Sequence, residues 1–208
     1  MNLLTGLPGA PSVLRLAWVA GLAVGLGVLA GGLVWRARTA ERRRIRRTVR
    51  RLSQEGLRDV VIPDGIGGVL QVDRLLLTHR GVLALDLRHY EGTLFGAERI
   101  DYWTQITKGG SYRFPNPLYE NRLRVQAVRA LLPGVPVQGR VVFTGEGWFA
   151  NEPPAGVSRL ETLARDLDLA AGGEVAPVCR AAWETFKQGL HATDDRGVCG
   201  GRHAGFTP

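Results

Sequence analysis

VLQVDRLLLTHRGVLALDLRHYEG, residues 69–92, decides how this chain is read. Its first ten residues are rich in Val and Leu and are bounded by glycines and a polar turn, as buried strands are. Gly81 follows His79 and Arg80 and supplies the positive φ that many hairpin loops need. Residues 82–88 then resume as a second apolar strand. Asp73, Asp86 and Arg88 interrupt the apolar run. Strand side chains alternate faces, so Asp86 and Arg88 share one face while Leu83, Leu85 and Leu87 take the other. Asp73, on the neighbouring strand, can meet them there. Charges are rarely buried unless paired or bound to metal, which leaves two readings side by side. Either Asp73 and Asp86 pair with Arg74 or Arg88 on a solvated sheet face, or two carboxylates and a cation converge as metal-assisted phosphodiester cleavage requires.

The chain has 208 residues, 45% of them hydrophobic, enough for one ordinary core plus an appendage. Its formal charge of +8 suggests nucleic acid until it is located. Nine arginines and one acid, Glu41, lie between Arg36 and Arg51. Outside that segment, eighteen basic and eighteen acidic residues cancel. The net basicity therefore belongs to one short stretch and says little about what the rest binds. Cys179 and Cys199 are far apart and form no zinc-binding pair.

Residues 16–35, LAWVAGLAVGLGVLAGGLVW, form a twenty-residue run without a charge. At 1.5 Å per residue that length crosses a bilayer core. The run is too long for a cleaved signal peptide, and arginines follow at once, so it reads as a retained anchor. The positive-inside rule then puts residues 1–15 outside as a short leader and everything after Trp35 in the cytoplasm, a reducing compartment that disfavours a disulfide. The arginines between Arg36 and Arg51 lie where they would meet anionic lipid headgroups, with nucleic acid as the competing partner for that segment.

Residues 36–52 read as an arginine-rich juxtamembrane helix, with Ile45, Val49 and Leu52 forming a narrow apolar stripe that docks on the sheet. Residues 58–63 read as a first strand, and 64–68 as a glycine-rich turn. Residues 93–113 carry short strands or a loop over the sheet edge. Asn116 and Pro117 start a helix, as N-cap and first helical residue. Leu118, Val125, Val128 and Leu132 repeat on one of its faces, and Pro133-Gly134 stops it. Residues 140–144 read as a further buried strand, 151–156 as a loop and 158–169 as a short helix. Residues 175–190 form a helix that places Cys179 in the core, and 191–208 a flexible tail. The class is mixed α/β, a central mixed sheet flanked by helices.

From about residue 44 to 149 this pattern resembles the nuclease-related (NERD) domain, a branch of the PD-(D/E)XK nuclease-like superfamily. The residues that carry the likeness are VDRLLLTHRGVLALDLRHYEG, Trp103, the Asn116-Pro117-Leu118 helix start and the RVVF strand at 140–143. The resemblance implies a restriction-endonuclease-like domain over 53–190. It also implies roles: Asp73 as the acid of the first motif strand, and Asp86 and Arg88 at the two ends of the family's E-x-K. In active relatives the two acids hold a divalent ion, Mg²⁺ or Mn²⁺, and the lysine positions or deprotonates the attacking water. Here Asp86 stands for Glu and Arg88 for Lys. Arginine stays protonated, so it can clamp a phosphate but cannot act as a base. The family's Glu on the helix before the first strand falls near Arg46, and Glu55 is the nearest acid, too far to serve. Glu120 stands where the family often has Gln, and is read as a solvated first-turn residue rather than a ligand. His79 is read as a surface turn residue, His89 as facing away from Arg88, and Tyr90 as packing under the sheet.

Three functions follow from these residues. One is a membrane-anchored nuclease that cleaves DNA or RNA on the cytoplasmic face through Asp73, Asp86 and Arg88. Another is a catalytically degenerate module that binds nucleic acid or a protein partner. The third makes the arginine segment the functional part and the domain a lipid-held scaffold.

Overall fold

The structure, a computed structural model, describes residues 12–169 and 172–194, and the side chains of 12–26, 28, 30, 34 and 191–194 lie outside that description. The elements are α1 (Ser12–Leu52), β1 (Glu55–Pro63), β2 (Val69–Thr78), β3 (Gly81–Arg88), β4 (Thr93–Phe95), β5 (Tyr102–Thr107) and β6 (Gly110–Pro115). They continue with α2 (Pro117–Leu131), β7 (Val137–Phe143), β8 (Trp148–Phe149), β9 (Val157–Arg159), α3 (Leu163–Asp166) and α4 (Pro177–Asp194). The chain is mixed α/β, with two sheets rather than the single one expected: β1-β2-β3-β7-β9, and β6-β5-β4-β8.

In the first sheet β1, β2 and β3 run antiparallel, while β3, β7 and β9 run parallel. The β3–β7 connection carries α2, as a parallel crossover requires. β2 and β3 meet at a tight turn in which Thr78 pairs with Gly81. Gly81 has φ 109°, and a Cβ there would lie 2.2 Å from the Pro136 carbonyl oxygen, so glycine is the residue that fits.

Both faces of this sheet are covered. Leu75, Leu77, Val82 and Ala84 pack with Val125 and Val128 of α2 and with Cys179, Trp183 and Phe186 of α4. Leu76, Leu83 and Leu85 pack on the other face with Val49 and Leu52 of α1 and with Leu160 and Leu163. The alternation read from the sequence is therefore the one that divides the core. A third cluster, Leu94, Trp103, Leu118, Val141 and Phe143, ties the second sheet to the start of α2 and to β7.

The expected helix over 158–169 is a strand followed by one short helix. Ser158 lies in β9, paired with Val142, and only Leu163–Asp166 is helical. Parallel pairing with β7 buries Val157 and Ser158 and overrides local helical preference. Residues 93–113, aromatic but short in strand signal, fold as β4, β5 and β6 around Trp103, which is fully buried.

The expected helices over 16–35 and 36–52 are one continuous helix, α1. Compactness divides the chain into Met1–Arg44 and Ile45–Pro208. Within the second unit, Ile45, Val49 and Leu52 make the apolar stripe expected of them. Among the described residues no helix is long and apolar enough to cross a membrane, and the 16–35 run falls largely on residues whose side chains are outside the description. The first part of the leader (1–11), the tail beyond Asp194 and Cys199 also lie outside the described residues. Cys179 is buried in the core.

Candidate functional site

β2 pairs with β1 along almost its whole length, from Val69 to Leu77. With β3 it pairs only from Thr78↔Gly81 to Arg74↔Leu85. β3 continues alongside β7 as far as Arg88↔Phe143. The sheet therefore forks between β2 and β3. One step beyond the last pair, Asp73 stands across from Asp86, and opposed residues of an antiparallel pair share a face. Asp73 closes the fork: its Oδ2 accepts the Leu87 N–H at 2.8 Å, in place of a ladder carbonyl.

The same face receives α2. Ala84 and Gly139 sit side by side on β3 and β7 and leave a low spot in the sheet. A Cβ on Gly139 would lie 2.3 Å from Val125 Cγ2, so the helix can approach only because this residue is glycine. Asn116 fixes where the helix begins. Its Oδ1 accepts the Leu118 N–H at 2.9 Å, while its Nδ2 donates to the carbonyls of Ala97, Glu98 and Ile100. The N-cap expected from the sequence is thus buried and bonded on both sides of its amide. Glu120 and Arg124, one turn apart on α2, arrive at the fork.

Five charged side chains meet there. Arg88 grips Asp86 with two prongs, Nε to Oδ1 at 2.9 Å and Nη2 to Oδ2 at 3.0 Å. Arg124 Nη1 reaches the same Oδ2 at 3.0 Å. Glu120 Oε2 accepts from Arg88 Nη2 at 2.8 Å and from Arg124 Nη2 at 3.4 Å. Arg124 is anchored from behind, its Nε donating to the Gln71 carbonyl at 2.7 Å. Asp86 is only 3% exposed. Burial would weaken the Arg88 proton, but the hydrogen bonds and charges of Asp86 and Glu120 outweigh it and hold that guanidinium above its usual range. Asp73 goes the other way for an acid. Burial pushes its carboxyl up and nearby Asp86 adds to this, against the opposing Leu87 amide.

Three carboxylates thus face two guanidinium groups, and Asp73 is the acid left without a cation within ion-pair distance among the described residues. Arg74, its neighbour, points from the opposite face of β2 and pairs with Asp59 at 3.8 Å. Among the described residues no three acidic, histidine or cysteine side chains converge to hold a metal by themselves. Magnesium, however, keeps several waters and needs only one or two carboxylates plus substrate oxygens. The fork fits that demand in two ways: it offers hard oxygen donors from Asp73 and Asp86, and it is short of one positive charge.

The sequence-expected trio of Asp73, Asp86 and Arg88 is together in the fork. Asp86 does pair with Arg88, but buried under α2 rather than on a solvated face. Glu120 is not a merely solvated first-turn residue. It is half exposed and bonded to both arginines. Arg124 was not expected. Its only signal in the sequence is its spacing of four from Glu120, which on most helices marks a surface ion pair. His89 sits 3.7 Å from Glu91. Glu55 is committed elsewhere, to Lys187 and Trp183 of α4. Tyr90 packs as expected, stacked on Phe114 at 4.7 Å and edge-on to Phe143.

The nuclease-related domain family model matches residues 36–144, a segment that includes all five fork residues. An uncharacterized protein of Bacillus anthracis is 25% identical over 101 residues, which are 47% of this chain and 47% of that protein. The chain therefore spans about half the length of the curated relative it matches. No solved structure matches the chain.

Proposed function

The chain belongs to the nuclease-related domain family, and from that premise we propose that it hydrolyses phosphodiester bonds of DNA or RNA with a divalent metal. The observation that carries this reading is the fork, where Asp73 and Asp86 stand opposed with one carboxylate outside the ion pairs. Asp73 and Asp86 would hold Mg²⁺ or Mn²⁺. Such an ion supplies an activated water and steadies the charge developing on the phosphate. Arg88 keeps the Asp86 carboxylate oriented through its two-pronged contact. Always protonated, it cannot take a proton from water, so its part at the substrate is to clamp a phosphate oxygen.

Cleavage of plasmid and oligonucleotides by the full-length chain in detergent, with Mg²⁺ or Mn²⁺, tests this. Asp73→Asn and Asp86→Asn should each lower the rate by about a hundredfold or more. Full activity in either variant removes that residue from the mechanism.

A second reading is favoured by the engagement of both Asp86 oxygens with guanidinium groups. It takes the fork as catalytically degenerate and the domain as a binding module for nucleic acid or a protein. Oligonucleotide binding without cleavage, under both metals, would select it.

For location, the reading is a single-pass anchor formed by residues 16–35, with the domain at the cytoplasmic face. Its support is the sequence of that run, the unbroken helix α1 and the arginines that follow it. The arginines between Arg36 and Arg51 would contact anionic lipids. Replacing them with glutamine should weaken binding to anionic vesicles and remove its salt dependence.

A further inference from the structure

We infer that Arg88 and Arg124 make the fork an exchange site, where a divalent cation and a nucleic-acid phosphate each bind by taking the partner the other releases. This rests on the nuclease reading above and adds how that site is regulated. Both oxygens of Asp86 are already held, Oδ1 by Arg88 and Oδ2 by Arg88 and Arg124. A cation arriving alone finds Asp73 open but must displace two guanidinium groups from Asp86 while sitting beside them. A phosphate arriving alone must draw those guanidinium groups off Asp86, leaving Asp73 and Asp86 without a cation beside an anion. Neither exchange is favourable by itself, because each strands partly buried charge.

Together they are complementary. The five side chains carry one net negative charge. A divalent cation turns that into one net positive charge, and one phosphodiester restores neutrality. In the joint state the cation would sit on Asp73 and Asp86 and the guanidinium groups would bridge the phosphate and Glu120, so that every charge has a partner. Arg124 is built for this switch. Its Nε stays on the Gln71 carbonyl at 2.7 Å, so the guanidinium remains in the fork while Nη1 leaves Asp86 for the phosphate and Nη2 keeps Glu120. Arg124 is thus a positioning residue for both ligands, coupling one to the other.

The test is a Mn²⁺ titration of the full-length chain in detergent, following free Mn²⁺ by electron paramagnetic resonance. It is run with and without a saturating phosphorothioate oligonucleotide, which keeps the diester charge and resists hydrolysis. The Mn²⁺ dissociation constant should fall by about tenfold or more when the oligonucleotide is present, and Mn²⁺ should tighten oligonucleotide binding by the same factor. In Arg124→Gln, Mn²⁺ should bind more tightly without the oligonucleotide, and the coupling should fall to about threefold or less. Tight Mn²⁺ binding indifferent to the oligonucleotide overturns the exchange and leaves the nuclease reading standing. Coupling unchanged in Arg124→Gln overturns the role of Arg124. Absence of Mn²⁺ binding in both conditions defeats the nuclease reading itself, and the exchange with it. The wild-type comparison stands whether or not the variant folds.

Discussion

Two charged clusters sit on the first sheet, and they differ in one respect. At the edge, Glu55 of β1 accepts from Lys187 Nζ at 2.8 Å and from Trp183 Nε1 at 3.0 Å, and Lys187 also reaches Glu184 at 2.8 Å. Arg180 stands 3.7 Å from Glu55, so two acids meet two cations. The hydrogen bond from Lys187 leads in holding Glu55 below the usual carboxylate range, against a modest opposing effect of burial. In the fork three acids meet two cations, and burial drives Asp73 up. The edge cluster is closed and staples α4 to β1. The fork has an acid to spare, which a structural ion pair does not need and a cation site does. Compensation, rather than the number of charges, separates the two.

The comparison can be broken most sharply at Asp86. Asp86→Ala leaves Arg88 and Arg124 without their buried partner, and should cost about 3 kcal/mol in a urea unfolding series. Next is the helix start on which the fork depends and the edge cluster does not. Asn116→Ala removes the cap and three amide hydrogen bonds, and should cost about 2 kcal/mol while loosening the fork. Amide exchange should then rise across α2 and stay unchanged across α4.

The amide-for-acid substitutions should differ in sign between the clusters. Glu55 is lowered in the fold, so its stabilisation is present above the unfolded carboxylate range and is lost as pH falls through the lowered value. Glu55→Gln should cost about 1 kcal/mol near neutral pH, with the gap to wild type closing in acid. Asp73 is raised, so its favourable contribution is present below the unfolded carboxylate range and is lost as pH rises through the raised value. Asp73→Asn should therefore match wild type in acid and melt slightly above it near neutral pH. A drop in the melting temperature of Asp73→Asn at neutral pH would mean that Asp73 is compensated, and that the two clusters are alike.

Much of this was legible in the sequence because it rests on local patterns. The alternation in residues 82–88 tells which side chains face which layer. Asn116-Pro117 marked the start of α2, and the apolar stripe of Val125 and Val128 marked its buried face. What was not legible is long-range. The second sheet is assembled from strands as short as three and two residues around Trp103, and no periodicity survives over such lengths. β9 is a strand because β7 lies beside it, not because of its own residues. Arg124 enters the fork because Gly139, fifteen residues away, lets α2 approach the sheet. A surface pair and a site pair look the same at a spacing of four, and an acid in a helix's first turn reads as solvated until the sheet beside it is known.

On the proposed reading, the spare negative charge of the fork is a cation's place. The most direct measurement is an anomalous difference map from crystals of the full-length chain grown with Mn²⁺ and a phosphorothioate oligonucleotide. A peak is expected within bonding distance of carboxylate oxygens of both Asp73 and Asp86, with Arg124 turned onto a phosphate. A fork in which Arg88 and Arg124 still hold Asp86, with no Mn²⁺ beside Asp73, would contradict it.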